Sequence, residues 1–323
     1  MALQYWNNKN INKGKIAALQ NAYHGDTFGA MAVSGRSVFT DAFAEQLFDV
    51  EFVPFPSKEK EAESIAVLER ILQTGNIAAL IVEPLVQGSA GMQMYSPDVL
   101  QKYFDLCKKY NTLIIADEVM TGFGRTGPLF ACDHINVAPD IVCLSKGLTG
   151  GAMPLGVTAC TQDIFDAFYD DDRTKMLYHG HSFTANPTIC AAALASLDLL
   201  LQKDCEESRK RISSAHAAFA GTIRNNPMVA DVRQTGTIIA IELKTDAPSY
   251  HHSLRDVMYR YFIDKKIVMR PLGNIIYIIP PYCISDDELG YIYKCIEELL
   301  GNLSPALSPS TITQGRLGEG EVE

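Results

Sequence analysis

Two short apolar runs, each ending in a polar side chain, set the tightest limit on how this chain folds. Leu113-Ile-Ile-Ala-Asp117 ends in a carboxylate, and Asp140-Ile-Val-Cys-Leu-Ser-Lys146 ends in an amine 29 residues further on. Such runs have the pattern of buried strands that deliver a side chain at their C-terminal ends. Helical spacing separates them from their neighbours. Apolar residues at 62, 65, 68, 71 and 72 predict a helix within 57–74, closed by Gly75, and 77–82 predicts a strand ending at Glu83-Pro84. Ser96-Pro97-Asp98 opens a helix with proline at its first position and a buried stripe at 99, 100, 103, 104, 107 and 110. Strand, helix, strand in this order predicts an α/β fold with a mostly parallel central sheet and helices on both faces.

The rest of the chain extends this pattern and then changes texture. Met1-Ala-Leu-Gln-Tyr-Trp6 reads as the last turns of a helix without a capping residue, and 15–20 reads as a strand running into Tyr23-His-Gly-Asp-Thr27. Asn186-Pro187 opens a long apolar helix to about 202, followed by a more polar helical segment to about 224. Beyond 231, the segments 232–243 and 275–279 read as strands flanking a helix at 253–265, and 286–300 is a last helix. The predicted organisation is a large domain over 1–203, a smaller C-terminal α+β domain over 204–301, and a tail over 302–323. That tail is rich in Ser, Pro, Thr, Gly and Glu, a composition that predicts disorder.

Composition excludes several classes of function. A net charge of −10 argues against nucleic-acid binding. No apolar run approaches the ~18 residues that a membrane span needs, and no basic-then-apolar signal segment opens the chain. The eight cysteines are scattered without a Cys-x-x-Cys pair, and Cys143, Cys160 and Cys190 sit inside apolar runs. They read as reduced, buried thiols of a cytosolic protein, with no disulfide framework and no metal-ligand spacing.

A lysine and an aspartate presented at strand ends suit pyridoxal phosphate. The amine holds the aldehyde as a Schiff base, and the carboxylate keeps the pyridine nitrogen protonated so that the ring acts as an electron sink. Taken singly, each residue has a plainer reading. Lys146 reads equally as a surface lysine, Asp117 as a cap, His24 as a packed histidine, Arg125 as a turn cation, and the glycine-rich stretches as tight turns.

The order of the motifs is more specific than any one of them. Tyr23-His-Gly-Asp-Thr27, Glu83-Pro-Leu-Val-Gln-Gly88, Asp117-Glu-Val-Met-Thr-Gly-Phe-Gly-Arg-Thr-Gly127, Ser145-Lys-Gly-Leu-Thr-Gly-Gly151 and His179-Gly-His-Ser-Phe-Thr-Ala-Asn-Pro187 follow one another in the chain. This series resembles the class III (omega) aminotransferases, over about residues 1 to 300. The resemblance implies the type I fold of pyridoxal phosphate enzymes, that cofactor, and a homodimer. It assigns Lys146 as the catalytic amine and Asp117 as the partner of the pyridinium. It places Tyr23 and Val119 on the two ring faces, with His24 also at the cofactor. Ser182 is assigned to the phosphate of the partner subunit's cofactor, Arg270 to the substrate carboxylate, which a guanidinium grips as a fork, and Tyr23 and Gly180 to substrate binding. Glu83 and Glu118 fall to organising the cofactor floor. Gln87-Gly-Ser-Ala-Gly-Met-Gln-Met-Tyr95, Gly147-Leu-Thr-Gly-Gly-Ala-Met-Pro-Leu155 and Arg270-Pro-Leu-Gly-Asn-Ile-Ile-Tyr-Ile-Ile-Pro-Pro-Tyr282 resemble the biotin-pathway branch. That branch implies 8-amino-7-oxononanoate as acceptor and S-adenosylmethionine as donor. A diamine, ornithine or 4-aminobutyrate-type activity is the alternative. The resemblance also implies roughly a hundred residues ahead of Met1, including a Gly-Ser phosphate loop, so that Met1 resembles an internal methionine. A truncated, non-catalytic fragment that binds cofactor weakly or not at all is the second alternative.

Overall fold

The computed structural model describes residues 1–37, 40–245 and 254–302, and the chain divides into two compact units, Met1–Lys210 and Arg211–Glu323. The first unit opens with helix α1 (Ala2–Asn8), strand β1 (Lys15–Leu19), α2 (Phe28–Val33), β2 (Val50–Val53), α3 (Glu61–Leu72) and β3 (Ile77–Val82). A two-residue ribbon, β4 (Val86–Gln87) with β5 (Gln93–Met94), precedes α4 (Pro97–Lys109), β6 (Leu113–Asp117), β7 (Ile141–Leu144), β8 (Val157–Cys160), α5 (Gln162–Phe168) and α6 (Pro187–Leu200). The main sheet has the order β2-β1-β3-β6-β7-β8; its first five strands are parallel and β8 runs antiparallel to β7.

Local chemistry accounts for these elements. The Ile-Ala-Ala-Leu-Ile-Val run of β3 is buried along nearly its whole length, as a central strand covered on both faces must be. Helix α4 begins where Ser96 Oγ accepts the Val99 amide at 3.3 Å, with Pro97 at the first helical position and two lysines in the last turn. Its Tyr103 and Phe104 are fully buried, and Tyr103 meets Ser64 of α3 through their hydroxyls. Asn186 caps α6 by accepting the Thr188 and Ile189 amides. Helix α1 is fixed by Trp6, whose indole N–H donates to the Ala78 carbonyl of β3 at 2.8 Å. Two strands that periodicity did not reveal, β2 and β8, are four residues each, β2 half-buried apart from Val53 and β8 exposed, so no long apolar run announces them.

Helix α7 (Lys203–Ile223) leads into the second unit, whose antiparallel sheet has the order β11-β10-β9, with β9 at Val229–Thr235, β10 at Ile238–Leu243 and β11 at Ile275–Ile278. The stretch 232–243 is therefore two strands. Thr235 pairs with Ile238 across a two-residue turn in which Gly236 takes φ +51°, a left-handed conformation that glycine adopts without strain. Helices α8 (Leu254–Asp264) and α9 (Asp286–Asn302) cover the sheet, burying Met258, Phe262, Ile296 and Leu299 against Ile239 and Ile241. Asn302 closes α9; the remainder of the predicted disordered tail, from 303, lies outside the described residues. The cysteines depart from a uniformly buried set. Only Cys107 and Cys295 are buried, and Cys160 is exposed because it sits on the edge strand β8.

His216 makes the second unit sensitive to acid. Its fully buried ring lies 2.6 Å from the Tyr293 hydroxyl through Nδ1 and 3.2 Å from the Thr237 carbonyl through Nε2. The Thr237 carbonyl accepts only, so Nε2 carries the proton and Nδ1 accepts from the phenol. Burial pushes its pKa down to about 4, outweighing the Thr237 carbonyl, which raises it. The unfolded chain binds the proton first as pH falls, so stability is retained above the unfolded value of ~6.5 and lost between there and about 4. The loss amounts to roughly 3 kcal/mol. Urea unfolding followed by circular dichroism from pH 7.5 to 4.5 is expected to show this slope and a shallower one for His216→Gln. Equal slopes would refute the assignment.

Candidate active site

The C-terminal ends of β1, β3, β6 and β7 point to one edge of the main sheet, and the residues singled out by sequence gather there. Tyr23 and His24 follow β1, Glu83 follows β3, Asp117 ends β6 and Lys146 follows β7. Because β6 and β7 are paired, with Asp117 opposite Cys143, the carboxylate and the amine belong to neighbouring strands. Ligands of open α/β sheets bind outside this edge because the strand ends present side chains there without closing off the approach.

Lys146 is exposed, and its amine has no hydrogen-bond or ion-pair partner among the described residues. It begins a short 3-10 turn with φ +42°, an unusual conformation for a residue with a long side chain. Gly147 follows because a Cβ there would lie 2.8 Å from the Phe123 ring. The chain thus turns sharply at the amine and lies tight against the loop after β6.

Asp117 is held from two sides. Its Oδ1 accepts the Val119 amide at 3.1 Å, and its Oδ2 meets His24 Nδ1 at 2.7 Å. The His24 side chain is only 2% exposed. Its backbone N–H donates to Ser34 Oγ at 2.9 Å, and that hydroxyl donates to the Ala30 carbonyl at 2.8 Å. Val119 is half-buried, as is Tyr23, whose phenol pKa is raised by burial and by a hydrogen bond with Asp26.

The two buried glutamates tie the floor together. Glu83 accepts the Tyr23 amide at 3.1 Å and the Gly88 amide at 3.0 Å, while its own carbonyl accepts the Tyr95 hydroxyl at 2.8 Å. Burial raises the Glu83 carboxyl to about 7, against the opposing pull of His24 and the two amides. Glu118 accepts from Thr121 Oγ1 and from the amides of Ala131 and Cys132, which pins the glycine-rich loop; burial raises its carboxyl as well.

Three further residues named from sequence fall on other segments of the chain. Gly180 and Ser182 sit on the exposed segment before α6, where the His181 amide donates to Thr184 Oγ1. Arg270 belongs to the second unit and is exposed between α8 and β11. The contact that sequence reasoning missed is the direct pairing of His24 with Asp117. The two are 93 positions apart, and nothing local marks a histidine in a loop as the partner of a distant strand end. The roles of Ser34 and Tyr95 escaped for the same reason.

The arrangement offers a free amine, an anchored carboxylate on the next strand and a half-buried aromatic ring beside them. Those groups suit the ring and the aldehyde of a pyridine aldehyde cofactor. Comparison with known proteins points the same way. The family "Aminotransferase class-III" matches residues 1–300. The adenosylmethionine-8-amino-7-oxononanoate aminotransferase of Synechococcus elongatus is 45% identical over 311 residues, covering 94% of this chain and 73% of the relative. The protein of the same name from Geobacter sulfurreducens is 38% identical, covering 92% and 70%. Among solved structures, that of the Methanocaldococcus jannaschii protein of this name superposes with a TM-score of 0.86 at 34% identity, over 93% of this chain and 71% of the other. An amine transaminase from an uncultivated Pseudomonas species, solved with PLP bound, gives 0.86 at 30% identity over 93% and 72%.

Proposed function

Since this chain belongs to the class-III aminotransferases, we propose that it transfers an amino group from S-adenosylmethionine to 8-amino-7-oxononanoate, giving 7,8-diaminononanoate for biotin synthesis. The observation that carries the chemistry is the placement of Asp117 and Lys146 at the ends of the paired strands β6 and β7. The substrate reading rests on relatives that are 33–45% identical and share one name.

Pyridoxal phosphate supplies the electron sink that lets the bond to hydrogen beside the transferred nitrogen break. Lys146 Nζ would hold the cofactor and would be the group that moves the proton beside the transferred nitrogen. Asp117 would accept the hydrogen bond of the ring nitrogen and keep that nitrogen protonated. Tyr23 and Val119 flank the ring, with His24 behind the carboxylate. Arg270 grips the acceptor's carboxylate, and Gly180 and Tyr23 line the substrate. Ser182 reaches the phosphate in the partner's site of a homodimer. The apolar side chains left exposed in the segments before and after it, Tyr169, Tyr178, Phe183, Leu194 and Leu199, support such an interface. No helix among the described residues is long and apolar enough to cross a membrane, in keeping with a cytoplasmic enzyme.

The test is the visible spectrum of the chain with pyridoxal phosphate before and after S-adenosylmethionine, with ornithine, a diamine and 4-aminobutyrate as rival donors. A Lys146-dependent band that bleaches with S-adenosylmethionine is the expected result. Bleaching by a rival alone would move the activity to another branch of the family.

A further inference from the structure

The mechanism above leaves His24 without a stated action, yet its ring is buried at the site and bonded to Asp117. Its ring is 2% exposed, so it cannot meet a ligand arriving from solvent. Its Nε2 is buried and has no hydrogen-bond partner among the described residues. Its single polar contact through the ring is Nδ1 to Asp117 Oδ2 at 2.7 Å. An aspartate carboxylate offers only acceptors, so Nδ1 carries the proton and donates. The Val119 amide already donates to the other oxygen, Oδ1, at 3.1 Å. With a donor on each oxygen the carboxylate plane cannot turn, and each oxygen keeps one lone pair free.

We infer that His24 is a positioning residue: through its Nδ1–H it fixes the plane of the Asp117 carboxylate, so that a free lone pair faces the place of the cofactor's ring nitrogen. The inference rests on the proposed function for what Asp117 receives, but not for the contact itself. Three features support it. The His24 backbone is tied to Ser34, which is tied to the end of α2, so the ring is set before any ligand arrives. The neighbouring Glu83 is occupied by the amides of Tyr23 and Gly88 and does not compete for Nδ1. A buried Nε2 with no partner is a cost that a ring serving only to fill space would not carry.

Two readouts test it. In the full chain without cofactor, the long-range proton–nitrogen spectrum of the imidazoles, with the His24 signals assigned by their loss in His24→Asn, is expected to show Nδ1 protonated. A bare Nδ1 would overturn the inference. Equilibrium binding of pyridoxal phosphate, followed by the Lys146-dependent absorption band, is the second. Asparagine places an amide donor near the Nδ1 position and glutamine near the Nε2 position. His24→Asn is expected to bind within about 3-fold of the unsubstituted chain, and His24→Gln about 10-fold or more weakly, since hydrogen bonds to charged groups are worth that much. In the background of Asp117→Ala the two variants should be equal, because their target is gone. Equal binding by the two in the parent background, or a difference that persists without Asp117, would overturn the positioning role. Melting curves of each variant show that the comparison is made between folded proteins. Absence of the Lys146-dependent band in the unsubstituted chain would instead sink the proposed function, while the imidazole spectrum would still decide the His24 contact.

Discussion

Replacing Lys146 with alanine is expected to eliminate the absorption band gained with pyridoxal phosphate and to slow amino transfer by on the order of 10⁴-fold or more. The size follows from two losses at one atom. The amine is both the covalent anchor and the group that moves the proton, and no other lysine lies at this sheet edge among the residues that follow β1, β3, β6 and β7. The fold should not notice. Lys146 is exposed and makes no hydrogen bond, so the change in stability should stay within about 0.5 kcal/mol. Its left-handed φ of +42° is no harder for alanine than for lysine. Equal melting temperatures with total loss of the band separate chemistry from folding. A band that survives in Lys146→Ala would place the anchor elsewhere.

Asp117→Asn is expected to lower the rate by roughly 10²–10³-fold, the range for loss of one preorganised electrostatic partner. Asparagine has the same shape, but its amide cannot hold a positive ring nitrogen as a carboxylate does. It also faces His24 and Val119 with a side chain of which only one end accepts, so one of the two contacts at Asp117 must weaken. Covalent attachment through Lys146 should persist, so the band should form with reduced affinity. Steady-state rates alongside the spectrum distinguish the outcomes. Activity within a few-fold of the parent would make Asp117 structural, whereas loss of the band as well as the rate would mean that the site had collapsed.

Much of the fold could be read along the chain where one strong local rule applied. Strand β3 spans the residues its apolar run predicts, and α4 and α6 begin at the Ser96-Pro97 and Asn186-Pro187 signals. The helix placed within 57–74 is shorter, at Glu61–Leu72, because its ends lack side-chain caps to mark them. What was illegible shares one cause. The exposed edge strand β8, the turn at Gly236 and the short strand β2 are fixed by partners rather than by composition. The boundary between units, at 210 and 211, falls inside α7, where no break in helical pattern could show it.

The sequence by itself determined that one strand ends in Asp117 and that the next leads into Lys146, because a run of apolar residues closed by a polar one is a local pattern; β7 proves half-buried and stops at Leu144, two residues short of the amine. The sequence could name the chemistry of each group, since that is carried by the side chain. Only the tertiary structure decided that β6 and β7 are neighbours, that Glu83 is taken up by backbone amides, and that His24 closes on Asp117 across 93 positions. Periodicity records whether a residue is buried, but a hydrogen bond at 2.7 Å requires two particular atoms to meet, and strand order rather than strand composition brings them together.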